Sequence, residues 1–117
     1  MKNLVRFLIF VFCTTANAQT EIKKEYYPNG QLKYEIPYKD GLKNGVATEY
    51  YENGKPKIVE TNSNGKLNGS FVEYHENGVV KNELTYKEDK ANGIFKIYYE
   101  SGELMGEVEF VENEKTG

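Results

Sequence analysis

Arginine is nearly missing from this chain of 117 residues, Arg6 being the only one, and cysteine is as scarce, with Cys13 alone; tryptophan is absent. Both single residues lie in Met1 to Ala18, a stretch that reads as an export signal. Lys2 and Arg6 give it a positive start, Leu4 to Phe12 is apolar apart from Arg6, and Ala16-Asn17-Ala18 offers the small-x-small cleavage pattern. The apolar run falls short of the ~20 residues of a spanning helix, and Phe12 is too bulky for the position before a lipidated Cys13. The expected mature chain begins at Gln19 and is exported, to the periplasm, the cell surface or the medium. It has no cysteine for a disulfide, a thiolate nucleophile or a cysteine metal site, which excludes thiol redox chemistry. It has no arginine and carries 13 lysines against 18 Asp and Glu, a net charge of -5. Surfaces that track phosphates on nucleic acid or anionic lipid are basic, so neither partner is expected.

What the chain does contain is repetition. Gly30, Gly54, Gly78 and Gly102 recur every 24 residues, and so do Gly45, Gly69, Gly93 and Gly117. The first ladder is preceded by Asn29, Asn53, Asn77 and Ser101, the second by Asn44, Asn68, Asn92 and Thr116. Asn-Gly is a strong hairpin signal, because a type I′ turn needs positive φ at both central residues. Both ladders therefore predict turns.

Between the turns the pattern has a period of two. Leu32, Tyr34, Ile36 and Tyr38 alternate with Lys33, Glu35 and Pro37, as in a strand with one apolar face. Val80, Leu84 and Tyr86 repeat the row, as do Leu104, Val108 and Phe110. Pro56, Ile58, Glu60 and Asn62 break it, which predicts a shortened strand or a bulge at Ile58-Val59. The companion strands, Val46 to Tyr51, Ser70 to His75 and Ile94 to Tyr99, end on paired aromatics. Neighbouring strand residues face opposite ways. Tyr50, Tyr74 and Tyr98 then form one stripe and Tyr51, His75 and Tyr99 another, one core and one exposed. No stretch carries an i, i+3, i+4 apolar face, so no helix is expected after Ala18. The fold expected is all-β: an antiparallel meander of about four 24-residue hairpin repeats in one open, twisted sheet. Seven or eight strands at ~4.8 Å spacing make it roughly 35 Å across. The units run about 25–48, 49–72, 73–96 and 97–117 within a repeat domain of residues 19–117.

The phrase that recurs from Tyr26 to Ala47 and from Tyr74 to Phe95, YYxNGxxKxExxYKxGxxNGxF with local departures, resembles the MORN repeat variant of bacterial proteins. The resemblance covers Ile22 to Gly117. It implies a β-hairpin repeat fold, and for function an antitoxin-like role of the YwqK kind or an exported role of another kind. Classical units carry a Tyr-x-Gly pair; the slots equivalent to Gly106 hold Tyr34, Ile58 and Asn82 here. Fold alone does not fix function.

Few residues suggest chemistry. His75, the single histidine, replaces a tyrosine, and no nucleophile or orienting group accompanies it in the repeat, so it reads as an aromatic substitution rather than a general base. Glu25, Glu49 and Glu73 form one column and Glu52, Glu76 and Glu100 another. Calcium sites gather oxygen ligands within a dozen residues. These columns instead face cross-strand lysines such as Lys33, Lys57 and Lys81. Asp40-Gly41 and Asn64-Gly65 lack the strand–loop–helix setting of a phosphate loop and read as turns. No catalytic residue, metal or cofactor is expected.

Evenly spaced tyrosines can instead bind another protein, offering area with a polar tip at little entropic cost. The candidate partner-binding residues are Tyr27, Tyr51, His75 and Tyr99. The candidate turn residues are Asn29, Gly30, Gly45, Asn53, Gly54, Gly69, Asn77, Gly78, Gly93 and Gly102. The expectation is a non-enzymatic, exported repeat module that binds a protein at the envelope or outside the cell, with edge-to-edge homodimerisation open to it. An antitoxin-like or immunity-like role is the alternative.

Overall fold

Alternating strands joined by short turns have one economical solution, a meander, and the computed structural model of this chain adopts it. The structure describes residues 9–14, 19–111 and 114–115. The ends of the expected export signal, residues 1–8 and 15–18, and the last ladder rung, Thr116 and Gly117, lie outside the described residues. The elements are β1 (Ile9–Thr14), β2 (Gln19–Tyr26), β3 (Leu32–Lys39), β4 (Leu42–Lys43), β5 (Gly45–Tyr50) and β6 (Pro56–Ser63), followed by β7 (Lys66–Tyr74), β8 (Val80–Lys87), β9 (Lys90–Ala91), β10 (Gly93–Tyr98), β11 (Leu104–Val111) and β12 (Glu114–Lys115). Ten form one antiparallel sheet in the order β1-β2-β3-β5-β6-β7-β8-β10-β11-β12, while β4 returns on β3 and β9 on β8. The hairpins β2–β3, β5–β6, β7–β8 and β10–β11 are the repeats. The expected open sheet of hairpins is present, enlarged by β1 and by the two-residue return strands. Its longest dimension is 44 Å, against the expected 35 Å.

One layer leaves no interior. The radius of gyration is 16.5 Å, where a compact globule of this length has about 13 Å. Among the described residues only Ala47, Ala91 and Asn62 are buried, and no large side chain is fully enclosed. This overturns the division of the tyrosines into a core stripe and an exposed one. Tyr50, Tyr74, Tyr98, Tyr51 and His75 are all half-buried, and Tyr99 is exposed. Apolar contact runs instead along one face: Phe71 lies opposite Leu84 and Phe95 opposite Val108. Edge-on aromatic pairs at 5.8 Å (Phe71, Tyr86) and 6.4 Å (Phe95, Phe110) add to it, each worth about 0.5–1.5 kcal/mol beyond the area buried.

The first glycine ladder does not make type I′ turns. Gly30, Gly54, Gly78 and Gly102 have φ between 91° and 96°, but Asn29, Asn53 and Asn77 do not have positive φ. Each loop holds three residues. Gly30 N donates to Tyr27 O at 2.9 Å and Tyr27 N to Gln31 O at 2.8 Å, a type I turn closed by a left-handed glycine. The asparagine is occupied otherwise: its Oδ1 accepts the amide two residues on, at 2.9 Å from Gln31 and Lys55 and 3.0 Å from Val79. The two-residue I′ turns lie between repeats, at Asp40-Gly41, Asn64-Gly65 and Glu88-Asp89, where both residues have positive φ.

The second ladder does not turn the chain at all, contrary to the expectation for Gly45, Gly69 and Gly93. Gly45 and Gly93 open β5 and β10, and Gly69 is the fourth residue of β7, where its register against β6 shifts, with φ of 113° to 131°. The asparagines before them brace the next turn, Asn44 Oδ1 accepting from Asn64 N at 3.1 Å and Asn68 Oδ1 from Glu88 N at 3.4 Å. A Cβ on Gly69 would stand 3.0 Å from Thr61.

The second repeat is not irregular either. β6 has its full eight residues, and Ile58 pairs with Glu49 just as Tyr34 pairs with Glu25 and Asn82 with Glu73. All four hairpins carry the same bulge beside the turn, where Tyr26, Tyr50, Tyr74 and Tyr98 pair with Leu32, Pro56, Val80 and Leu104. Lys33, Lys57, Lys81 and Met105 are the extra residues. This bulge, unseen in the alternation, takes Leu32, Val80 and Leu104 out of the rows they had been expected to begin.

Gly69→Ala is expected to destabilise the protein by more than ~1 kcal/mol, since positive φ and the Thr61 contact both oppose a Cβ. Gly106→Ala, in open space without positive φ, is expected to raise stability by ~0.5–1 kcal/mol. Urea titration of both variants checks the contrast.

Candidate functional site

The bulge turns the residue after each strand toward the following hairpin, and there the aromatic column acquires a use. Tyr27 Oη donates to Tyr50 O and Tyr51 Oη to Tyr74 O, both at 2.6 Å. His75 continues the column, its Nε2 3.0 Å from Tyr98 O. A carbonyl only accepts, so Nε2 carries the proton, and Nδ1 lies 4.0 Å from Glu100 Oε2. The imidazole is thus a positioned donor. The second and third joints have a further strut beside the aromatic: Asn53 Nδ2 donates to Glu76 O at 3.2 Å and Asn77 Nδ2 to Glu100 O at 3.1 Å.

Three of the four candidate binding residues are therefore spent on the molecule itself, and Tyr99 is not. It is 49% exposed, and no hydrogen bond of its hydroxyl is seen among the described residues. Ile94, Leu104, Met105 and Val111 on the same hairpin are also about half exposed. Tyr99 and Met105 border a shallow groove with His75, Lys81, Tyr98, Glu100, Ser101 and Glu103. The structure brings together aromatic, apolar and acidic groups there.

The remaining charged groups pair locally. Lys57 Nζ is 3.8 Å from Glu49 and 5.6 Å above the Tyr51 ring, and Lys81 Nζ is 3.8 Å from Glu73. Half-exposed pairs of this kind contribute ~0–1 kcal/mol. Backbone bonds tie the Asp40-Gly41 and Asn64-Gly65 turns to the neighbouring strand, Asp40 N to Gln19 O of β2 at 2.9 Å and Gly65 N to Lys43 O of β4 at 2.8 Å. The carbonyls of Tyr50, Tyr74 and Tyr98, and the amides of Asn53 and Asn77, escaped the sequence reading. The 24-residue spacing of the aromatics was the available signal, but an acceptor on the backbone leaves no mark in residue type.

Burial, followed by the nearby carboxylates of Glu49 and Glu52, raises the Tyr27 phenol above its ordinary value; burial, then Glu73 and Glu76, does the same for Tyr51. Tyr98 is raised first by its 2.9 Å hydrogen bond to Glu83. For Tyr27 and Tyr51 the folded state holds the proton more tightly than the unfolded one. Their contribution is intact below the unfolded value of 10.0 and is lost as pH rises through the higher folded value. Tyr51→Phe is expected to cost ~0.5–1.5 kcal/mol near neutrality. Tyr99→Phe is expected to change stability by less than ~0.5 kcal/mol. The gap between wild type and a Tyr27→Phe/Tyr51→Phe double variant narrows above pH 10, as denaturant titrations at stepped pH will read.

Residues 22–40, 43–61, 67–88 and 91–112 each match the model of the MORN repeat variant. Every matched segment spans one of the four hairpins. No curated protein and no solved structure matches the chain. Four matched units, most of the chain's length and one repeated staple between them place this chain in the MORN repeat variant family, to which it belongs.

Proposed function

We propose that this repeat-based structural or binding module is exported and binds another protein through its fourth hairpin, without catalysing a reaction. The observation that carries the reading is the concentration of exposed apolar side chains on β10, β11 and the turn between them, Ile94, Tyr99, Leu104, Met105 and Val111. Solvent-exposed apolar groups rimmed by charge mark protein contacts, and Glu100, Glu103 and Lys81 border the groove that Tyr99 and Met105 share. The outer edge of β11 adds main-chain donors and acceptors for strand addition. The export reading rests on Lys2, Arg6, the apolar Leu4 to Phe12 and Ala16-Asn17-Ala18.

The intact mass of the protein from fractionated cells and culture medium tests the address. A chain that begins at Gln19 outside the cytoplasm is expected. A soluble cytoplasmic chain retaining Met1 would overturn export and turn attention to the antitoxin-like alternative. For the binding face, a photo-crosslinker at Met105 is expected to trap one protein reproducibly and the same group at Lys39 to trap none. Equal yields at both positions count against the fourth hairpin.

A further inference from the structure

The joints between repeats follow one rule. In β3–β5, Tyr34 pairs with Glu49 and Glu35 with Thr48. In β6–β7, Ile58 pairs with Glu73 and Val59 with Val72. In β8–β10, Asn82 pairs with Ile97 and Glu83 with Lys96. The next term puts Gly106 and Glu107 of β11 on the donor side. On their inner side they pair with Ile97 and Lys96 of β10; on their outer side, among the described residues, no strand pairs with them. The ladder's first term on the receiving side is Glu25 and Lys24, at the other end of the sheet.

β11 is prepared for that joint as the interior strands are. β4 caps the far end of β3 by pairing with Tyr38 and Lys39, and β9 caps β8 at Tyr86 and Lys87. β12 caps β11 in the same way at Phe110 and Val111, leaving the half toward the turn clear. Tyr99 stands where Tyr27, Tyr51 and His75 reach the following hairpin, and the matching acceptor in the first hairpin is Tyr26 O. Charge agrees as well: Glu107 would face Lys24, repeating the opposition of Glu83 and Lys96.

We propose that the two ends of the sheet are complementary and that the partner on β11 is a second copy of this chain. Its β2 pairs through Glu25 and Lys24 with Gly106 and Glu107, and Tyr99 donates to its Tyr26 carbonyl. The contact is head-to-tail, so it propagates into a row rather than stopping at a dimer. In the full chain β1 occupies the outer edge of β2, with Ile9 opposite Lys24, over six residue pairs. Its register is not that of the repeats, in which residue 11 would take that place. Assembly accordingly waits on departure of β1, and in this respect it rests on the proposed removal of Met1 to Ala18 and deepens the partner reading.

A protease site placed between Ala18 and Gln19 of the full chain tests this without reference to how cells process it. Sedimentation velocity before cutting is expected to show single copies. After cutting, the coefficient should rise with concentration while far-UV circular dichroism keeps the strand signal. In the cut chain, Glu107→Lys and Lys24→Glu should each weaken association at least about tenfold by opposing like charges. An equimolar mixture of the two should recover it, because both cross-pairings then join opposite signs. That recovery also shows that neither variant had merely lost its fold. A cut chain that stays monomeric at every concentration, one that unfolds when β1 leaves, or charge variants that associate as the parent does would each overturn the proposal. None of these results bears on where the protein resides or on its binding of other proteins.

Discussion

A sheet against which none of the described residues forms a second layer must hold its strands together from within, and here the demand falls on the hydrogen bond from each turn aromatic to the carbonyl of the next hairpin. At 2.6 Å these phenol bonds are short; the Tyr27 bond spans the β3–β5 joint, where the strands share two paired residues, and the Tyr51 bond spans β6–β7, where they share five. The backbone ladder has six or seven pairs inside each hairpin and, between hairpins, two in β3–β5 and β8–β10 and five in β6–β7. The aromatic column supplies what the ladder lacks, and stability accumulates from neighbour to neighbour. Tyrosine suits the task because its ring covers the turn while its hydroxyl reaches beyond it.

The fold was legible because its signals are local and repeated. Glycine and asparagine at a 24-residue spacing and apolar residues at a spacing of two lead to hairpins in one sheet. Turn type was not legible. Asn-Gly serves a type I′ turn and a type I turn with a following left-handed glycine equally well, and the choice depended on Asn29 bonding Gln31 N through its side chain. The bulge at Lys33 and its counterparts was hidden because an extra residue in every repeat leaves the period unchanged. Burial was misjudged for a different reason: period-two alternation predicts an inside and an outside, and a single layer has neither in full. The candidate tyrosines were found by spacing, but the acceptors that give Tyr27 and Tyr51 their role are backbone atoms, which residue identity does not record.

The third repeat departs most from its fellows. Its outer turn places Glu88 and Asp89 at positive φ with no glycine, a conformation that costs roughly 1–2 kcal/mol for such residues. Asp89 offsets part of this by accepting Leu67 N at 2.7 Å through its carboxylate while its own amide donates to Leu67 O at 2.8 Å. The same repeat carries His75 in the aromatic column, with a 3.0 Å bond in place of 2.6 Å. The joint to the fourth hairpin thus has the longest staple and follows the most strained turn, immediately before the most exposed apolar surface.

Because every hairpin repeats one bulge, one three-residue loop and one pairing register, position along the sheet is counted in whole units. Losing a single residue would turn a strand's faces over, whereas losing 24 would rejoin equivalent positions and leave each seam as it was. The width of the molecule is therefore a discrete quantity, advancing by two strands, or ~10 Å, per unit. A gene coding for such a sheet can lengthen or shorten its product by duplication or deletion without redesigning any joint, and the protein acts as a ruler whose graduations are its own hairpins.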